Sequence, residues 1–343
     1  MSSSTDPRPV VILKPEPQAA GRIFTDQAMQ ALRHSFEVVD LEGDDRPEAL
    51  DEALPGAFAV IGQPDLPRER LERATRLRAI VNVEGNFFPN VDYAACAEFG
   101  IYVLGCGPAY AQAVAEHSLG LALDIARGIS REDRAFRDGI EHYVAEGNED
   151  SVLLRGARVG LLGYGNLGRA LHRLLEPFAV HIRVYDPWLP DSVLRQAGLH
   201  PAGLEETIRE SRFLFVLATV TAETEHLLGG RELDLIPAGG RLILVSRAAV
   251  ADFEALLPRL REGRFLAAID VWPEEPMPPD SPYRSVEGLV FSGHRAGGVP
   301  EAFAQIGDMA LDDLRQIRSG LPPVRMQIAA RELVGRYRNR PVR

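Results

Sequence analysis

Val159-Gly160-Leu161-Leu162-Gly163-Tyr164-Gly165-Asn166-Leu167-Gly168 is an apolar run that closes on three glycines in the spacing G-x-G-x-x-G. The run carries no polar side chain before its first turn glycine, so it reads as a strand covered on both faces. Leu167–Leu175 continues it as a helix, which places the glycines at a strand–turn–helix corner. Each glycine then has a physical task. Gly163 permits the tight turn, Gly165 lets the backbone approach a pyrophosphate, and Gly168 lets the helix pack close to the strand. The helix start, with Asn166 and Leu167 beside Gly168, offers N–H groups and partial positive charge to phosphates. Asp186 ends the next strand, 18 residues after Gly168. A carboxylate there can accept hydrogen bonds from both ribose hydroxyls, whereas a 2′-phosphate would meet like charge. The cofactor expected is NAD rather than NADP.

Outward from this corner, the chain alternates short apolar runs with helical patterns. Val159–Leu162, His181–Tyr185, Phe213–Ala218, Arg241–Val245, Leu266–Asp270 and Leu289–Phe291 read as six strands of one sheet. Upstream, Val10–Leu13, Phe36–Leu41, Phe58–Ile61, Ala79–Val83 and Ile101–Leu104 read as five more, with helices such as Arg68–Arg76 between them. This βαβ rhythm predicts two α/β domains, each a doubly wound parallel sheet with right-handed crossovers. Gly105-Cys106-Gly107-Pro108 separates the two series, and one long helix is expected from about Gln112 to Arg137. Gly297-Gly298-Val299-Pro300 ends the second series, and a last helix, about Glu301–Ser319, returns to the first domain. Residues 1–105 with 299–343 are therefore expected to form one discontinuous domain, into which 106–298, the nucleotide domain, is inserted. The tail from Arg331, with five arginines among thirteen residues, reads as a solvated or docked extension.

A chain of 343 residues exceeds what one hydrophobic core usually spans, which agrees with two domains. The net charge of −11 repels phosphate backbones and anionic lipid, so neither nucleic acid nor a membrane is an expected partner. Cys96 and Cys106 are the only cysteines and cannot build a disulfide framework. Met1–Pro9 is polar, without the apolar core of a signal peptide, so the expected location is cytoplasmic. The sequence holds neither Cys/His spacing for a metal nor a nucleophile-elbow motif, and no metal is expected.

Three further residues follow strands of the nucleotide domain, on the edge where doubly wound sheets hold ligands. Arg247 follows Arg241–Val245, Glu275 follows Leu266–Asp270, and His294 follows Leu289–Phe291. Reduction of a 2-oxo acid needs a cation for the carboxylate and carbonyl, a proton donor for the oxygen, and a group that holds the donor protonated. Arg247, His294 and Glu275 supply these in that order, since a carboxylate beside an imidazole favours its charged form. His117, early in the long helix, reads instead as a polar group at a domain or subunit interface.

With these residues in place, the chain resembles the D-isomer-specific 2-hydroxyacid dehydrogenases over about Val10 to Ser319. The resemblance is carried by Ala113-Val114-Ala115-Glu116-His117, the glycine corner, Arg247, Asp270-Val271-Trp272 through Glu275-Pro276, and His294-Arg295-Ala296-Gly297. It implies a Rossmann NAD-binding domain inserted in a flavodoxin-like substrate domain, and a homodimer. It also implies Arg247, Glu275 and His294 as the catalytic trio. Asp270 and the backbone near Ser246 would hold the nicotinamide carboxamide, and Thr219 stands where a proline usually ends the fourth nucleotide-domain strand.

Some positions depart from the family pattern. Ser246-Arg247-Ala248 replaces the usual Ala-Arg-Gly. The substrate loop reads Glu84-Gly85-Asn86-Phe87-Phe88-Pro89-Asn90 where Gly-Val-Gly-x-Asp-Asn is usual. Phe87 thus replaces a glycine and is expected to reshape the pocket, with Asn86 and Phe87 contacting the substrate. The activity implied is interconversion of a 2-oxo acid and its D-2-hydroxy acid. Substrates with a second anionic group, of the phosphonopyruvate or phosphohydroxypyruvate type, stay within it. Formate chemistry is disfavoured, because the formate enzymes carry glutamine at the place of Glu275. Phosphite dehydrogenases carry a lysine where this chain has Asn86. They remain an alternative, as does the NADH-sensing corepressor class, which retains the trio.

Overall fold

The computed structural model describes residues 8–330 and 334–338. The chain divides into two compact units, Met1–Tyr110 with Val299–Arg343 and Ala111–Gly298. In the first unit the strands are β1 Val10–Lys14, β2 Glu37–Asp40, β3 Ala57–Gly62, β4 Ala79–Asn82 and β5 Tyr102–Gly105. They pair in parallel in the order β5-β4-β3-β1-β2, which reverses direction at β1/β3 and is the flavodoxin-like order. β4 is buried along its whole length, as strands sandwiched between helices must be. The helix Pro300–Arg318 covers one face with Ile306, Met309, Ala310, Leu314 and Ile317, all in the same apolar cluster as Val11, Leu13 and Ile61.

The second unit holds β6 Arg158–Leu162, β7 His181–Tyr185, β8 His200–Pro201, β9 Phe213–Val216, β10 Arg241–Leu244, β11 Leu266–Ile269 and β12 Leu289–Phe291. All pair in parallel in the order β12-β11-β10-β9-β6-β7-β8. The winding reverses between β6 and β9. That reversal opens a crevice beyond the carboxyl ends of the strands, where such sheets bind ligands.

Three expectations change. The sheet of the second unit has seven strands rather than six. The added β8 is two residues long, sits at the edge and ends in proline, so periodicity cannot register it. The first sheet gains β13, Gln327–Ile328, which runs antiparallel to β5. The single helix expected over 112–137 is two helices, Gly107–Arg127 and Ile129–Asp138. Gly128 separates them at φ 65°, the left-handed conformation that ends helices. The Asp124 carboxylate then accepts the Ser130 N–H at 2.8 Å and starts the second helix. Pro108 is accommodated in the first turn, where its missing N–H costs no helical bond.

Of the arginine-rich tail, residues 331–333 and 339–343 lie outside the described residues, as do residues 1–7 of the polar N-terminus. Val334 and Tyr337 pack against the apolar cluster of Ile80, Ala95 and Val103. Among the described residues, no helix is long and apolar enough to cross a membrane.

Candidate active site

The glycine corner takes the form its sequence demands. Gly163 has φ 99°, and its N–H donates to the Tyr185 carbonyl at 2.9 Å, which ties the end of β6 to β7. A Cβ on Gly168 would stand 2.7 Å from the Gly163 carbonyl oxygen, so only glycine lets the helix Asn166–Leu175 lie this close to the strand. At Gly165 a Cβ would meet nothing within 4 Å. The backbone there borders open space, and a bound group can approach it closely. Asn166 and Leu167 are the first two residues of the helix. Its first i→i−4 bond runs from the Arg169 N–H to the Gly165 carbonyl, so the N–H groups ahead of it face the edge of the sheet. Tyr164 turns its side chain inward. Its ring is buried, its hydroxyl meets His172 Nδ1 at 2.9 Å, and Arg169 lies over the ring at 5.0 Å.

Asp186 closes the corner from β7. Its Oδ2 accepts the Tyr164 N–H at 2.8 Å and its Oδ1 the Trp188 N–H at 3.0 Å. Each oxygen keeps a second acceptor site for a sugar hydroxyl. Ser246, just past β10, has a buried Oγ with no hydrogen-bond partner among the described residues. A buried hydroxyl without a partner costs free energy that a bound polar group can recover. Thr219 follows β9, and its carbonyl accepts the Thr224 hydroxyl at 2.6 Å. Gly163, Gly165, Gly168, Asp186 and Ser246 together fit a dinucleotide.

The loops after β11 and β12 hold the titratable pair. His294 Nδ1 lies 2.7 Å from Glu275 Oε2, and Glu275 Oε1 accepts the Trp272 N–H at 2.8 Å. The carboxylate accepts only, so Nδ1 carries the proton and Nε2 is left to exchange one with a ligand. Both side chains are about a quarter to a third exposed. Trp272 binds the two loops together, its Nε1–H donating to the Ser292 carbonyl at 2.8 Å and its ring stacking on Phe291 at 5.4 Å. Arg247 follows β10, half-buried, with its guanidinium donating to the Ser246 carbonyl at 2.7 Å. Arg247, Glu275 and His294 therefore share one sheet edge with the glycine corner, after three successive strands.

Asp270 and His117 both bond to the loop after β12. Asp270 is fully buried. Its Oδ1 accepts the Ser292 hydroxyl at 2.5 Å and the Arg295 N–H at 3.0 Å, and its Oδ2 accepts the Ala296 N–H at 3.2 Å. His117 also bonds within its own unit, Nε2 lying 3.0 Å from Ser292 Oγ. The partners are 175 residues apart, and no motif spacing signals such a contact.

A family model described as "D-isomer specific 2-hydroxyacid dehydrogenase, NAD binding domain" matches residues 119–296. This chain belongs to the D-isomer-specific 2-hydroxyacid dehydrogenase family. It is an NAD-dependent oxidoreductase, and the Ala111–Gly298 unit contains its NAD-binding domain. A glyoxylate reductase of Aeropyrum pernix is 30% identical over 258 residues, covering 74% of this chain and 77% of that protein. A D-3-phosphoglycerate dehydrogenase of Methanocaldococcus jannaschii is 25% identical over 86% of this chain and 56% of its own length. The crystal structure of a phosphoglycerate oxidoreductase from Rhizobium etli is 43% identical, with a TM-score of 0.86 over 94% of this chain and 99% of that one.

In the first unit, Asn86 is half-buried and Phe87 is 4% exposed. The Phe87 ring turns into the unit's own core, 6.3 Å from the Tyr93 ring and 5.8 Å from the Tyr337 ring. Gly105 makes room for it: a Cβ there would stand 3.2 Å from the Phe87 ring. The Phe87 ring thus fills an interior space of this unit.

Proposed function

We propose that this dehydrogenase interconverts a 2-oxo acid and its D-2-hydroxy acid with His294 as acid–base group, Glu275 as its partner and Arg247 as the carboxylate and carbonyl anchor. The observation that carries the reading is the Trp272 N–H–Glu275–His294 chain, which fixes the imidazole tautomer at the edge that bears the dinucleotide corner. When bound at that corner, NADH supplies the hydride that reduces the carbonyl carbon. His294 donates the proton from Nε2 to the carbonyl oxygen, and Glu275 stabilises the imidazolium before transfer. Arg247 offers a planar pair of donors to the carboxylate and offsets negative charge that grows on the oxygen. Asn86 and Phe87 contribute to substrate binding through their backbone, since the Phe87 ring is committed elsewhere. Asp186 favours NAD over NADP.

The name of the 43% identical Rhizobium etli relative supports a phosphorylated 2-oxo acid as the first substrate to test. The reading also places the enzyme in the cytoplasm as a homodimer. Ile129, Phe136, Ile140 and Tyr143, all more than half exposed on the Ala111–Gly298 unit, supply apolar surface for a second copy.

The test is an NADH-oxidation screen over glyoxylate, hydroxypyruvate, 3-phosphohydroxypyruvate and phosphonopyruvate, with phosphite and NAD as the reverse-direction control. At least one 2-oxo acid should be reduced, and His294→Ala should lower its kcat by roughly 10²–10⁴ while NADH still binds. A His294→Ala variant that keeps most of its kcat, or turnover of phosphite alone, refutes the assignment.

A further inference from the structure

Asp270 presents an electrostatic demand that the acid–base pair does not answer. Its carboxylate is fully buried, and such a group persists only where donors surround it. Those donors come from the stretch that carries His294: the Ser292 hydroxyl, the Arg295 N–H and the Ala296 N–H. The Asp270 main-chain carbonyl also accepts the His294 N–H at 2.6 Å. His294 itself stands at φ 51°, a left-handed conformation that a residue with a Cβ holds only where its surroundings enforce it. Asp270 is that enforcement, gripping residues on both sides of His294.

The direction of the bonds extends the chain one residue further. A carboxylate only accepts, so the single Ser292 hydroxyl proton is donated to Asp270 Oδ1. The Ser292 oxygen must then accept from its other neighbour, His117 Nε2, at 3.0 Å. His117 Nε2 also lies 3.6 Å from Asp270 Oδ1. It comes from the long helix Gly107–Arg127, so it pins the loop after β12 to an element outside the loop's own strand pair.

We infer that His117 is a positioning residue: through Ser292 it orients the Asp270 clamp, and the clamp aims His294. The functional part of this inference rests on the reading of His294 as the acid–base group. The experiment compares His117→Ala, His117→Gln and Ser292→Ala in the full chain by two independent readouts. The first is backbone hydrogen exchange of the segment 290–297 in the protein without added cofactor. Exchange at Arg295 and Ala296 should accelerate at least about tenfold in His117→Ala and Ser292→Ala, since a lost clamp opens the loop locally. His117→Gln places an amide donor near the position of Nε2 and should stay close to wild type. The second readout is steady-state kinetics with the best 2-oxo acid. Here kcat should fall at least about tenfold in His117→Ala, while KM and NADH affinity stay within about twofold, because proton transfer is sensitive to small misplacements. A purely structural role would instead lower thermal stability and leave kcat per folded molecule unchanged.

Unchanged exchange in His117→Ala overturns the inference. So does a glutamine variant as defective as the alanine one, or an altered loop with an unaltered kcat. If wild-type enzyme reduces no 2-oxo acid, the acid–base reading fails, and the exchange contrast alone supports or overturns the clamp.

Discussion

Phe87→Ala separates the two roles that position 87 could have. The wild-type ring is 4% exposed and lies against Tyr93, Tyr337 and the Gly105 backbone. Removing a buried phenylalanine ring costs about 3–5 kcal/mol, part transfer and part cavity. Two aromatic contacts disappear with it, while the Gly105 backbone cannot swing in to fill the space, so the upper half of that range, about 4 kcal/mol, is expected. For a unit of roughly 150 residues this corresponds to a fall in its melting temperature of about 8–16 °C. The assay is differential scanning calorimetry on both proteins, followed by kcat/KM for a panel of 2-oxo acids at a temperature where both are folded. The calorimetric transition of the unit containing residue 87 should move by that amount, and all substrates should change by one common factor. A shift under about 2 °C, with a reordering of substrates by tenfold or more, would show that the ring selects substrate and that its packing role is minor.

Asp186 should favour NAD over NADP by at least ~2.8 kcal/mol, about a hundredfold, and Asp186→Ala should shrink that ratio. Fluorescence titrations with both reduced cofactors check this, and equal wild-type affinity refutes it. Burial disfavours the charged form of His172, lowering its proton affinity in the folded state. An unfolded histidine takes up its proton near pH ~6.5, so the unfolded state binds more protons just below that pH. Stability should therefore fall as pH drops through about 6.5, and His172→Gln should flatten the dependence in melting curves taken at pH 5.5 and 7.5. An unchanged slope in His172→Gln removes His172 from the cause.

Much of this protein is legible in short windows of its sequence. The glycine corner, the strand Val159–Leu162 and the alternation of apolar runs with helices depend on neighbours within a few residues. Backbone sterics and hydrophobic period act at that range, which is why strand ends are misplaced by at most two residues among the eleven strands read from sequence. The placement of Glu275 beside His294 on one edge is legible for a related reason. In a doubly wound sheet, residues just past successive strands share one edge whatever else the chain does. What the tertiary structure alone decides has the opposite character. β8 and β13 exist because an edge was available to them, and their two residues apiece carry no period. The direction of the Phe87 ring follows from the space above Gly105, the last residue of β5. The inward turn of Asp270 and the bond between His117 and Ser292 join residues brought together by crossovers. Such contacts are set by how the layers stack, and no local preference of a helix or loop encodes which distant side chain it will meet.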